Sequence, residues 1–466
     1  MAHVLDGYAV HRLFAASLQP MARAIGASLG PRGVLSLFDQ GTEQIGRARS
    51  GLEIAMAMPK PEGPAGTAPR MLKELLFAAQ RDLGDGTTQL ALIAIATFTQ
   101  ATRAGAPAVA LANAIDSARP TVTALLQAER CAEIDLISLA RSSGADARLA
   151  NELASILKQT GPDGIIEVSE ALRPGMELIA APGFMIDAEP IGDIVDLSNV
   201  SVLVANEVIS DFGHLAGVLE GFVKKRKSLV IAARDITGAA LATLLQNQKA
   251  GIVRLAACRP RDAGQRAADV LEDLAIATGA TLVSDRQGTQ ISSLRPAMLG
   301  HATGFSATKA RALFTSPNGD AALIAQRRST LASEIARNRH LSLDREHARR
   351  RRSRLAGNWR EIKLAGENAD GTATMIAAAR SATACMTSAM EGGAIPGGGE
   401  ALANVAAKLS AEHPVIAHGL LAIARQLNMK TDPAIQDPLP LQCAIVDQAL
   451  SFTTQLLRTA AIIHRA

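Results

Sequence analysis

Aromatic side chains are nearly missing from this chain: one Trp, one Tyr and ten Phe among 466 residues, 3% in all. With so few rings and an apolar content dominated by Ala and Leu, packed helices are favoured over an all-β sandwich. Cysteine is scarce too. Cys131, Cys258, Cys385 and Cys443 stand far apart, with no CxxC pair and no His at ligand spacing, which argues against a metal knuckle or a disulfide scaffold. No uncharged stretch reaches the roughly 18 predominantly apolar residues of a membrane span. Residues 1–18 carry His3, Asp6, His11 and Arg12 where a signal peptide needs an apolar core, so a soluble cytoplasmic protein is expected. No GxxxxGK[ST] run occurs, which disfavours a Walker-type ATPase. Charge of one sign is not in large excess either: the net +4 is mild, and the basic residues concentrate at Arg349, Arg350, Arg351, Arg352 and Arg354. Without interleaved aromatics, that run reads as a solvated helix face or an ion-pair surface between subunits, not as a nucleic-acid or membrane patch.

Length is what the chain does have, and it exceeds what one hydrophobic core usually serves, so two or three domains are expected. The most informative stretch is Gly84-Asp85-Gly86-Thr87-Thr88, followed by the charge-free run Leu90 to Phe98. Two glycines permit positive φ and a close backbone approach. A helix starting at Thr87 or Thr88 then offers unpaired N–H donors and the positive end of its dipole, the means by which a phosphate is held. Phosphate repels Asp85, so a carboxylate at that place suggests a bridging Mg²⁺ with oxygen ligands from protein and phosphate together. Taken alone, the five residues also fit an ordinary N-cap before a core helix.

Along the chain, apolar spacing predicts a helix over Tyr8–Leu29, stopped by Gly30-Pro31-Arg32-Gly33. A short strand at Leu35–Phe38 and a helix at Leu52–Met58 follow. Residues 59–69, rich in Pro and Gly, are either an insertion or a helix broken by loop chemistry, and helices continue to about residue 127. Gly161-Pro162-Asp163-Gly164 turns into a strand at Ile165–Val168. Between Met176 and Asp285, short β-rich runs (Leu178–Ala180, Val200–Val204, Ser228–Ala232, Ile252–Ala256, Thr281–Ser284) alternate with helices at Leu215–Lys225, Gly238–Lys249 and Gln265–Thr278. That alternation indicates an α/β domain inserted between helical halves. An Ala-rich helix from Asp370 to Met390, a second glycine nest at Ile395–Gly399 and an apolar helix from Leu441 to Ile463 close the chain.

Each glycine turn alone is a weak signal, but LGPRG near residue 30, GDGTT near 85, PGGGEAL near 397 and DP near 437 occur in the order in which the group I, GroEL-type chaperonins carry LGPKG, GDGTT, AGGG and LDP. Longer likenesses agree: GIVRLAACRP beside ALATLL, GPDGIIEVSEA, and DREHARRRRSRLAG. The sequence resembles that family over nearly its whole length, as a divergent and shortened member. The resemblance implies an α-helical equatorial domain (1–127 and 393–466), a small α/β intermediate hinge domain (128–182 and 357–392) and an α/β apical domain (183–356). It also implies a molecular chaperone that binds ATP with Mg²⁺ and takes unfolded or partly folded proteins as partners. Such a subunit has a docking place for a co-chaperonin lid and joins a homo-oligomeric ring, or a mixed ring with a related subunit.

Carried over one position at a time, Leu29, Gly30 and Pro31 lie against the nucleotide, Asp85 ligates Mg²⁺, and Gly86, Thr87 and Thr88 cradle the phosphates. Gly398 approaches the ribose and Asp437 accepts from its hydroxyls. Arg49 stands at a lysine position, keeping the charge but not the compact geometry. The departures concern catalysis. Ser381 replaces the aspartate that positions the attacking water, and Ser50 replaces a second carboxylate near the γ-phosphate. A serine cannot serve as a carboxylate base at neutral pH, and losing a positioned base costs about 10²–10⁴ in rate, so impaired hydrolysis is expected. The alternative is a non-hydrolysing paralogue with a structural or protein-binding role. The stretch Leu420–Asp437 is too short for the family's adenine-covering segment. In the apical part Leu219, Leu241 and Leu245 keep apolar client-binding positions, while Ala216 and Gln246 fill others and the aromatic segment is missing between Gly183 and Val200. Leucines on an amphipathic helix serve a core as readily as a groove, and both readings stay open. At the lower hinge Gly357 remains, and Asn358 replaces a glycine.

Overall fold

A computed structural model describes residues 2–30, 35–39, 45–59, 61–161, 165–211, 213, 227–251, 254–284, 288–337, 342–427 and 435–465. Pro31, Leu219, Ala216 and the helix expected over Leu215–Lys225 lie outside the described residues.

The chain gathers into two compact units. Met1–Lys158, Leu172–Gly175 and Leu364–Ala466 form the first; Gln159–Ala171 and Met176–Lys363 form the second. In chain order the first unit opens with β1 (Ala2–Asp6), α1 (Tyr8–Gly26), β2 (Ser36–Asp39), β3 (Ile45–Ala48) and α2 (Gly51–Ala57). Next come α3 (Thr67–Leu83), α4 (Thr87–Arg103), α5 (Ala108–Ala128), α6 (Leu136–Ser142) and α7 (Ala147–Thr160). The second unit carries β4 (Ile165–Glu170), β5 (Gly175–Pro190), β6 (Leu197–Ile209), β7 (Ser228–Ile236), α8 (Gly238–Ala250), β8 (Arg254–Pro260) and α9 (Gln265–Thr278). It continues with β9 (Gly300–Ala307), β10 (Arg311–Pro317), α10 (Ala321–Arg337), α11 (Ser342–Leu355) and β11 (Asn358–Ala365). The chain then returns to the first unit with α12 (Ala369–Gly392), β12 (Ala394–Pro396), α13 (Glu400–Leu409), α14 (Pro414–Gln426), β13 (Gln436–Pro438), α15 (Leu439–Leu457) and β14 (Ala461–Arg465).

The first unit is organised around α4. Its charge-free stretch has no polar face: Leu90, Ile93, Ile95 and Phe98 are all buried, and α1, α14 and α15 pack round them. A helix apolar on every side must be covered on every side, and each such side chain contributes about 1.5–3 kcal/mol on burial. The chain ends meet in this unit, where β1 pairs antiparallel with β14 from Ala2↔Arg465 to Asp6↔Ala461. Here the structure departs from the helix expected through Ile463: after Leu457 the period changes to two, with Ile462 buried and Ile463 exposed. No helix among the described residues is long and apolar enough to cross a membrane.

The second unit is built on a sheet of order β10-β9-β6-β7-β8-β5-β11-β4. β6, β7 and β8 run parallel, while β10 also pairs with β5, so the strands from β10 to β5 close on themselves. Alternate residues of β6 and β7 feed separate cores. Val202, Val204, Val230 and Ala232 pack under α9, whereas Leu203, Ala205, Leu229 and Ile231 pack with Ala240 and Leu244 of α8. Both faces being covered explains why these strands read as unbroken apolar runs. Thr281–Ser284 makes only isolated bridges, Ala205↔Val283 and Ser284↔Thr289. β9, GHATGFSA, and β10, RALFTSP, contain no Val or Ile and were not anticipated.

Two members of the arginine run on α11 depart from the solvated helix face, or ion-pair surface between subunits, expected of it, while Arg350 is exposed. Arg351 and Arg354 are buried. Arg351 Nε donates to Asp273 Oδ2 at 2.6 Å, Arg327 Nε donates to Asp273 Oδ1 at 2.8 Å, and Arg354 Nη2 donates to Asp187 Oδ2 at 2.6 Å. Asp273 and Asp269 stand one turn apart on α9 and draw α10 and α11 onto it, so these arginines face inward within one unit.

Candidate functional site

The turn between α3 and α4 is the centre of the site. Gly84 closes α3 at φ 77° and Gly86 opens α4 at φ 87°, so left-handed residues flank Asp85 on both sides. A side chain at either position meets more than backbone strain. A Cβ on Gly86 falls 2.3 Å from Ile445 Cδ1, and one on Gly84 falls 2.9 Å from the Cβ of Ala384 on α12. No side chain caps α4, so its first N–H groups are left for an anion. The N-terminus of α2 abuts that of α4: Leu52 N–H donates to Thr87 Oγ1 at 3.3 Å, and Thr87 is buried. Thr88 Oγ1 lies 3.2 Å from Ser28 Oγ, which ties the turn at Leu29 and Gly30 to the same helix end. Gly30 has φ 80° and lies against Leu427.

Ser50 is the N-cap of α2. Its Oγ accepts from Glu53 N–H at 3.1 Å, and Glu53 Oε2 accepts from Ser50 N–H at 3.3 Å, a reciprocal capping box. The same carboxylate accepts from Arg49 N–H at 2.8 Å, while the Arg49 side chain is exposed. Ser381 sits half-buried on α12, one turn before Cys385.

The glycine nest after β12 meets the same place from the C-terminal part. β12 pairs with β13, setting Ile395 opposite Asp437. Gly398, at φ 64°, directs its N–H at the Asp437 carboxyl. Asp437 is buried, and burial together with the negative charge of Asp85 pushes its carboxyl up to about 7. Asp85 is half-buried as a residue, but its carboxyl sits deep, and burial raises it as well. The Cys385 thiol, the Gly86 N–H and the Ser143 hydroxyl offset part of that rise. Cys385 Sγ donates to Asp85 Oδ2 at 3.0 Å. Burial first, and the facing Asp85 second, hold the thiol well above its ordinary range, so it stays a neutral donor. Gln436 pins the remaining wall: its backbone N–H donates to Ser138 Oγ at 3.1 Å and its Oε1 accepts from Asp135 N–H at 2.8 Å, fastening α6 to β13.

Asp85, Gly86, Thr87, Thr88, Gly398 and Asp437 therefore converge from sequence positions hundreds of residues apart, with Leu29, Gly30 and Ser50 joined to the same helix ends. Leu241 and Leu245 belong to the other unit, on α8: Leu241 packs partly onto the core beneath it, and Leu245 is 36% exposed. Sequence reasoning missed Cys385 and Ser143. The first could have been found by its i+4 spacing from Ser381 on a helix; the second, on a loop far from Asp85 in sequence, gave no local sign.

Solved structures of the same architecture show the fold to be that of a chaperonin subunit. Its solved counterparts include the chaperonin gp146 from the bacteriophage EL 2 (Pseudomonas aeruginosa), crystallised in the presence of ATP-BeFx. The likeness spans 99% of this chain and 99% of that one, with a TM-score of 0.77 at 16% sequence identity. A second crystal form of gp146 matches over 99% and 98% with a TM-score of 0.65 and 16% identity. No protein-family model matches the chain.

Proposed function

We propose that this chain is the subunit of a group I-type chaperonin that binds ATP with Mg²⁺ and assists protein folding, with slow hydrolysis. The observation that carries the reading is the convergence of Asp85 and Asp437, two like-charged carboxyls held close by backbone N–H, hydroxyl and thiol groups, at an uncapped helix start. Such an arrangement is unfavourable by itself and becomes favourable when a cation and a polar ligand complete it. The donors are oxygens, which suit a hard ion. Among the described residues no group of three His, Cys, Asp or Glu is arranged to hold a metal alone, so an ion at Asp85 takes its other ligands from phosphates and water. When bound, Mg²⁺ supplies charge neutralisation between phosphate oxygens. In this reading the α4 N-terminus and the Thr87–Thr88 backbone hold the phosphates, Gly398 and Asp437 hold the ribose, and Leu29, Gly30 and Pro31 lie against the base. The crystallisation of gp146 with ATP-BeFx is consistent with it.

Slow turnover follows from Ser381 and Ser50. Neither can act as a carboxylate base, and the Ser50 hydroxyl is engaged in its own helix cap. The same observation favours the second reading, a non-hydrolysing chaperonin-like protein with a structural or protein-binding role. The remaining parts of the proposal are the parse into equatorial (1–127, 393–466), intermediate (128–182, 357–392) and apical (183–356) parts and a cytoplasmic ring, homo-oligomeric or mixed with a related subunit. They also include a co-chaperonin lid and capture of unfolded proteins through Leu219, Leu241 and Leu245. The test is binding of a fluorescent ATP analogue with Mg²⁺ and steady-state phosphate release, compared with Ser381→Asp and Ser50→Asp. Binding with little release, raised by Ser381→Asp, supports the reading. Vigorous release by the unaltered protein refutes slow hydrolysis, and absence of nucleotide binding refutes the nucleotide assignment.

A further inference from the structure

The geometry points to Cys385 as a positioning residue that orients the Asp85 carboxylate toward its Mg²⁺, an inference that rests on the nucleotide-binding reading above. Cys385 is 3% exposed, and its Sγ donates to Asp85 Oδ2 at 3.0 Å. That contact is built into the backbone. α12 approaches the Asp85 turn so closely that a Cβ on Gly84 falls 2.9 Å from Ala384, the residue preceding Cys385. A second element stands beside the same carboxylate: Ser143, the C-cap of α6, eases the charged forms of both Asp85 and Cys385, while its own hydroxyl donates to the Leu139 carbonyl at 3.1 Å. Gln436 fastens α6 to the strand bearing Asp437, so both carboxyls share one support.

A carboxylate between two left-handed glycines has a free χ1 unless something holds it. With Oδ2 engaged by the thiol, one oxygen is committed to the protein and the other is presented to the ion. Outer hydrogen bonds of this kind tune ligand affinity without touching the metal, and losing one costs about 10–100-fold at strong donors and less at a weak thiol donor.

The experiment is a Mg²⁺ titration of fluorescent ATP-analogue binding to the full chain, with nucleotide binding in EDTA and thermal unfolding measured alongside. Cys385→Ala is expected to raise the Mg²⁺ midpoint about 3–10-fold while leaving metal-free nucleotide binding unchanged. Cys385→Ser, which restores a donor, is expected to return it to within about 2-fold of the unaltered protein. Ser143→Ala, acting from a different element, is expected to raise it about 2–3-fold. An unchanged midpoint in Cys385→Ala overturns the inference alone, as does a Cys385→Ser variant no better than Cys385→Ala. If the unaltered protein binds no nucleotide at any Mg²⁺ concentration, the reading beneath it fails first and takes the inference with it.

Discussion

The two units bury charge in opposite ways. In the second, Asp273 is 1% exposed and is met by Arg351 and Arg327, and the buried Arg354 is met by Asp187. In the first, burial raises the proton affinity of both Asp85 and Asp437, the charge of Asp85 raises that of Asp437 further, and the groups around them are a thiol, a hydroxyl and backbone N–H donors. Burial removes an ion from water at a cost of several kcal/mol, which a matched partner offsets and a like charge increases. Pairing with opposite charge marks charge used for cohesion; two acids left together mark charge kept for something that arrives from outside. Abundance of charge is thus a poor guide to function: Arg351 and Arg354 of the conspicuous run are internal scaffold, and the candidate site rests on two inconspicuous aspartates.

Breaking the paired side has the largest expected effect. Asp273→Ala leaves Arg327 and Arg351 without their shared carboxylate and should destabilise the protein by about 3–5 kcal/mol, read by denaturant unfolding. A loss under about 1 kcal/mol ends the contrast. On the unpaired side the effect is a pH slope. The Asp437 carboxyl is held protonated to about 7 in the folded protein but ionises near 3.8 in the unfolded chain, so the unfolded chain binds fewer protons in that window. Stability of the nucleotide-free protein should therefore fall as pH rises from about 4 to about 7, by on the order of 1.4 kcal/mol per pH unit at most, and level off above. Asp437→Asn should flatten that slope, and an unaltered slope removes Asp437 as its source. Next in size, Gly86→Ala forces a left-handed alanine against Ile445 and should cost about 1–3 kcal/mol while weakening nucleotide binding. The smallest change is expected at Leu245→Ser, within about 0.5 kcal/mol, against about 2–5 kcal/mol for its buried neighbour Leu244→Ala. Suppression of aggregation of a denatured test protein should fall in Leu245→Ser if that exposed face captures clients; unchanged suppression removes Leu245 from the proposed surface.

Much of this was legible in the sequence, for identifiable reasons. α9 falls on its expected bounds, Gln265–Thr278, because a 3.6-residue period and a terminal glycine act locally. The Gly84–Thr88 turn was legible because glycine is the residue that relieves positive φ there, and Gly86 and Gly84 both adopt it. What stayed hidden depends on distant partners. The burial of Arg351 follows from Asp269 and Asp273 on another helix, and a run of arginines reads alike whether it faces water or acids. The end of the chain read as helix because the switch to period two spans only the few residues of β14, whose partner strand is β1. Cys385 read as an unremarkable thiol because Asp85, its acceptor, is 300 positions away.

The pairing of β1 with β14 sets an order for synthesis. Residues 176–363 leave the ribosome as one continuous segment, whereas the first unit needs strands and helices from both sides of that segment. The sheet-based unit can close while α12 to α15 are still unmade, and α4 must wait, its apolar surface uncovered, until α14 and α15 emerge to cover it. For the length of that delay the first unit holds out to solvent the one helix that its own later segments exist to cover.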